Sequence, residues 1–194
     1  TVSAGGVESI KLGGDADIFI STGGLVTNVD GEAGADTFTL DDIANIGLIN
    51  GGAESDTLTL NVTEQVVKLG TNVTLVENIN ATDATLVAQN LANTWKVTGA
   101  NSGTIENATE GSVTFTGFAN LTGNEGIDSF TITGALAQLS GLIDGAGGSD
   151  DTLTLSNNQS YVVELGDEVT TNLNVNRVET ITAHVSSSNT LLAD

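Results

Sequence analysis

Residues 29–40 read Val-Asp-Gly-Glu-Ala-Gly-Ala-Asp-Thr-Phe-Thr-Leu, and residues 49–60 read Ile-Asn-Gly-Gly-Ala-Glu-Ser-Asp-Thr-Leu-Thr-Leu. Each begins with an apolar residue, crosses a glycine-rich stretch to an aspartate, Asp36 or Asp56, and continues as alternating Thr and apolar residues. The pattern returns at 121–132 around Asp128, at 143–155 with one extra residue before Asp151, and in compressed form at 12–20 around Asp17. Alternation with a period of two is the mark of a strand with one buried face. Phe38, Leu40, Leu58, Leu60, Phe130, Ile132, Leu153 and Leu155 are therefore expected inside, with the intervening Thr residues outside.

The motif aspartates are 19, 20 and 23 residues apart (17 to 36, 36 to 56, 128 to 151). Such a spacing suits one turn of a solenoid, in which each repeat buries the apolar face of its neighbour at a rise of ~4.8 Å and none folds alone. The expected fold is thus all-β, a right-handed parallel β-solenoid of β-helix or β-roll type. The glycines ahead of each aspartate are expected to provide positive φ at a tight corner. The absence of proline leaves every strand free to donate its ladder bonds.

A longer period overlies this one. Val7-Glu-Ser-Ile10, Val76-Glu-Asn-Ile79, Phe118-Ala-Asn-Leu121 and Val178-Glu-Thr-Ile181 are alike, as are the stretches 66–70 and 162–166. They define super-repeats at about 1–81 and 118–183. Residues 82–117 between them keep the strand alternation at Val97, Ile105, Val113 and Phe115, and are expected to form further turns of one continuous stack over 1–194. The pattern runs to both ends, which reads as a segment of something longer.

Composition narrows the function. Hydrophobic residues make up 39% of the chain, enough for a core, and recur in short β-branched runs that disordered chains lack. Cysteine is absent, so neither disulfides nor thiolate metal sites contribute. A net charge of −21, with Lys11, Lys68, Lys96 and Arg177 as the sole basic residues, argues against nucleic acid as a partner, because phosphate binding needs clustered cations. No apolar run reaches the ~18 residues of a spanning helix, so no membrane insertion is expected.

With these residues in view, the chain resembles the repeat-in-toxin class of secreted bacterial proteins, and more closely the tandem β-strand repeats of giant bacterial adhesins. The class nonapeptide is Gly-Gly-x-Gly-x-Asp-x-apolar-x. Residues 31–39 and 123–131 fit it except at the second glycine, and residues 51–59 keep that glycine but carry Glu54 at the third. The resemblance implies an extracellular or cell-surface setting, flanking repeats of the same parent chain as neighbours, and Ca²⁺ held between turns. One motif per repeat, where the class has two, confines any ions to one edge.

Asp17, Asp36, Asp56, Asp128 and Asp151 are the candidate metal ligands, since Ca²⁺ takes carboxylate and main-chain carbonyl oxygens. The competing role for each is to accept main-chain N–H bonds at its own turn. Trp95 is a possible ligand contact, for surface glycans, set against a place in the core. His184, the single histidine, sits in a Ser-rich stretch, and neither a Ser-His-Asp order nor an HExxH or phosphate-loop motif occurs. These features point to a non-catalytic spacer or scaffold. A carbohydrate-binding module or a polysaccharide-active β-helix enzyme is the rival, and ice binding by the outward Thr-x-Thr pairs is a minor one.

Overall fold

The computed structural model describes residues 7–23, 26–157, 159–165, 173–183 and 188–193. Among these the chain is all-β, with a single short 3₁₀ turn at Ile43–Asn45 and mostly parallel pairing. None of the described helical residues forms a helix long and apolar enough to cross a membrane. His184 lies outside the described residues.

The motif strands pair with one another, shifted by one whole motif. Ile18–Ser21, Thr37–Leu40 and Thr57–Leu60 lie side by side in parallel, with Phe19 opposite Phe38 and Phe38 opposite Leu58. Asn78–Val87 continues the row, placing Ile79 opposite Leu58. A second row of the same kind runs through Asp128–Ile132, Thr152–Leu155 and Thr180–Ala183, with Phe130, Leu153 and Ile181 aligned. A slip of one residue would turn every apolar side chain outward, so this register is fixed by the apolar alternation itself. The eight residues expected inside, from Phe38 to Leu155, are at most 3% exposed.

The segments between motifs supply a second set of parallel strands. Val7–Gly13, Val26–Glu32, Ile46–Asn50 and Val73–Thr74 form a four-stranded sheet that aligns Ile10, Val29, Ile49 and Val73. Val67, Leu86, Leu121, Ile143 and Val175 align in the same way further along the chain. Side chains from both sets enter one core. Fully burying a Leu, Ile or Phe is worth roughly 1.5–3 kcal/mol, and here each is enclosed by the repeats on either side of it.

The stretch 82–117 is dense in strands but departs from the expected parallel order. Asn93–Gly99 pairs antiparallel with Ser102–Asn107, which pairs antiparallel with Gly111–Asn124. The connections decide this. Ala100-Asn101 is a two-residue link with Asn101 at φ 48°, and the link 108–110 is held by Asn107 Oδ1, which accepts from Thr109 N at 2.9 Å and Glu110 N at 2.8 Å. Links so short join antiparallel neighbours, whereas a parallel return needs a crossover of a dozen or more residues. The outer members of this insert then pair parallel with the flanking rows, through Phe115 opposite Ile79 and Trp95 opposite Phe130.

The four Val-x-x-Ile-like stretches also separate. Those ending at Ile79 and Ile181 belong to the motif rows, and those ending at Ile10 and Leu121 to the second set of strands.

Candidate functional site

Each motif aspartate stands where the glycine-rich corner enters its strand, and the pairing brings these positions of successive repeats next to one another. The main-chain N–H of Asp17 donates to Asp36 Oδ1 at 2.7 Å, that of Asp36 to Asp56 Oδ1 at 2.7 Å, and that of Asp56 to Glu77 Oε2 at 2.7 Å. A second column repeats the scheme. Asn93 Nδ2 donates to Asp128 Oδ1 at 2.7 Å, Asp128 N to Asp151 Oδ1 at 2.8 Å, and Asp151 N to Glu179 Oε2 at 2.7 Å. In both columns the acceptor belongs to the repeat that follows.

The other carboxylate oxygen explains the first glycine of the motif. A Cβ on Gly31 would overlap Asp36 Oδ2 and the carbonyl oxygen of Gly51; on Gly51 it would overlap Asp56 Oδ2 and the Leu75 carbonyl oxygen. Gly123 and Gly145 stand in the same relation to Asp128 and Asp151. These four glycines are thus needed for close approach, and none of the four has positive φ. The left-handed position is the next residue, occupied by Glu32 (φ 69°), Gly52 (φ 106°), Asn124 (φ 92°) and Ala146 (φ 70°). The expectation of positive φ ahead of the aspartate holds for the corner, with the roles of its residues divided.

Asp36, Asp56, Asp128 and Asp151 are at most 1% exposed, and among the described residues Oδ2 of Asp36, Asp56 and Asp128 has no hydrogen-bond partner. Burial pushes the carboxyl groups of Asp56 and Asp151 up from the usual range. Burial also pushes Asp128 up to about 6, against the opposing hydrogen bond from Asn93 and with help from the charge of Asp151.

The residues present do not fit Ca²⁺. The ion needs six to eight oxygens around an open centre. Here one carboxylate oxygen of each buried aspartate is taken by an N–H, from the main chain for Asp36, Asp56 and Asp151 and from the Asn93 side chain for Asp128, and the other lies where a Cβ on the motif glycine would stand. Asn93 presents an N–H donor where an ion bridge would need an anion. Among the described residues, no three acidic or histidine side chains come together in a group that could hold a metal ion.

Trp95 is corrected from a possible ligand contact to a core residue. It is 0% exposed, stacked on Phe130 with centroids 5.5 Å apart and edge-on to Phe115 at 6.1 Å. Alternation explains the position, since Trp95 shares its face with Val97, also 0% exposed, while Thr94 and Lys96 point out.

The sequence reading missed Glu77 and Glu179 as the last members of the columns. Their signal lay in the likeness of residues 76–79 to 178–181, and both follow a left-handed residue by two positions, Leu75 (φ 50°) and Arg177 (φ 49°). It also missed Glu110, 6% exposed, which accepts from Leu75 N at 2.6 Å and Thr74 Oγ1 at 3.0 Å and so ties the insert to the first column. A shallow cleft beside Lys68, lined by Thr71, Thr74, Gln89, Asn90 and Asn124 among others, has Lys68 as its single titratable side chain among the described residues. Comparison of the chain with protein-family models, with curated proteins and with solved structures found no match.

Proposed function

We propose that the chain is a non-catalytic spacer or scaffold segment of a secreted or surface-exposed bacterial adhesin, built as a continuous parallel β-solenoid with a short antiparallel insert. The observation that carries this reading is the in-register stacking of motif strands 19 to 23 residues apart, cemented by the same side-chain to main-chain bond at each step. A chain that stacks this way gains length by adding repeats without a new fold, which is what a spacer requires. The resemblance to adhesin repeats supports the surface setting. The acidic surface, from a net charge of −21, suits a long all-β array that must stay dispersed.

The rival readings have less to stand on. A lectin-like role loses Trp95 to the core. Glycoside hydrolysis needs two carboxyl groups facing across a groove, and the cleft beside Lys68 has none.

Solution X-ray scattering tests the proposal. The row from Ile18–Ser21 to Thr180–Ala183 contains ten strands, which at ~4.8 Å per strand spans about 43 Å. A tandem of two copies should keep the cross-section of one and add a length of that order. Two bodies tumbling independently, or saturable binding of the chain to one glycan in a polysaccharide screen, would overturn the spacer reading.

A further inference from the structure

We propose that the Gly-to-Asp motif of this chain is a cation-independent lock, in which the aspartate itself does the work of joining one repeat to the next. Three observations converge on it. First, the same bond recurs at successive junctions of both columns, always from the main chain of one repeat to the carboxylate of the next. Second, the space an ion would need is filled from within the motif, because Oδ2 takes the volume of the Cβ that Gly31, Gly51, Gly123 and Gly145 lack. Third, the columns tolerate Asn93 at one end and Glu77 or Glu179 at the other, substitutions that keep hydrogen bonding while changing the charge or the reach of the side chain.

The lock explains why glycine and aspartate occur as a pair. The glycine makes room and the aspartate fills it, so the two positions are energetically coupled. Gly123 shows this most directly, since the nearest atoms to a Cβ there are Oδ2 and Cγ of Asp128, with the Gly145 carbonyl oxygen further away. Neighbouring carboxylates of each column act on one another, Asp36 on Asp56 and Asp151 on Asp128, and the cost is met by N–H bonds and by partial retention of the proton.

The test uses the intact chain, with thermal unfolding followed in chelator and in millimolar Ca²⁺. The melting temperature should be the same in both. Asp56→Asn, which keeps an acceptor oxygen, should melt close to the parent, while Asp56→Ala should melt several degrees lower with or without Ca²⁺. In the double variant Gly123→Ala/Asp128→Ala, the loss should be smaller than the two single losses added together. Should a variant fail to fold, hydrogen exchange on the parent decides: the amides of Asp36, Asp56 and Asp151 should be equally protected in chelator and in Ca²⁺. A melting temperature raised by Ca²⁺, protection that appears only with Ca²⁺, or strict additivity at Gly123 and Asp128 would overturn the lock.

Discussion

Trp95 lies flat on Phe130, with ring centroids 5.5 Å apart and planes inclined by 14°. The pair joins the antiparallel insert to the second motif row, and Phe115 and Phe118 extend the aromatic cluster on the other side. Trp95→Ala should therefore cost about 3–5 kcal/mol, as large-to-small changes at fully packed aromatics do. Urea unfolding followed by far-UV circular dichroism measures it. Because Trp95 is the only tryptophan, the parent should also emit at short wavelength and resist quenching by acrylamide until it unfolds.

Acid should stabilise the fold. Burial holds Asp128 at about 6 and raises Asp56 and Asp151, so the folded chain binds these protons more tightly than the unfolded chain, whose carboxyls titrate near 3.8. The stabilisation is complete below the unfolded value and is lost as pH rises through the folded one. The melting temperature should thus be higher near about pH 5 than near about pH 7.5, with Asp128 contributing on the order of 1 kcal/mol across that window. Relief of repulsion in a chain of net charge −21 acts in the same direction. The deciding measurement is the difference between the parent and Asp128→Asn, in which the slope between these pH values should shrink.

The motif rows were legible because their alternation is local and their spacing regular. Phe38, Leu58, Phe130 and Leu153 are inside for reasons visible in five residues of sequence. The insert was not read, although its signal was present: Val97, Ile105 and Val113 fall eight residues apart, too close for a repeat of about twenty. Alternation marks a strand without saying which neighbour it pairs with, and that information sat in the two-residue link at Ala100-Asn101. For the site, the aspartates were found but their chemistry was left between two readings. Whether an aspartate meets a cation or an N–H depends on what fills the glycine corner, which only three-dimensional packing settles. Trp95 was open for a similar reason, since Thr94 and Lys96 beside it are outward by alternation and say little about the ring itself.

The corner also stores strain that can be released. Ala146 (φ 70°) and Glu54 (φ 81°) hold left-handed backbone that costs a residue with a Cβ roughly 1–2 kcal/mol. Replacement by glycine removes that cost and adds back about 0.4–1 kcal/mol of unfolded-chain entropy. Ala146→Gly and Glu54→Gly should therefore each raise the melting temperature by a few degrees in a thermal scan. Ala53→Gly, in a corner position without positive φ, should lower it and serves as the control.

Glu77 closes the first column by accepting the N–H of Asp56 at 2.7 Å, as Glu179 does for Asp151 at 2.7 Å in the second. Each sits where the corner is shortened to a left-handed residue, Leu75 or Arg177, whose carbonyl oxygen lies against Gly51 or Gly145. The longer side chain reaches an N–H that an aspartate on this shortened corner would miss. Glu77→Ala should leave that buried donor without a partner, at a cost of about 1–3 kcal/mol. Glu77→Asp should fall close to it, and Glu77→Gln should keep the bond. The charge of Glu77 also helps to raise the Asp56 carboxyl, so the glutamine variant should lose part of the acid stabilisation while retaining its fold. Hydrogen exchange separates these effects. The Asp56 amide should exchange faster in Glu77→Ala and Glu77→Asp than in Glu77→Gln, while the Asp151 amide, held by Glu179 in the other column, should keep the same protection in all three.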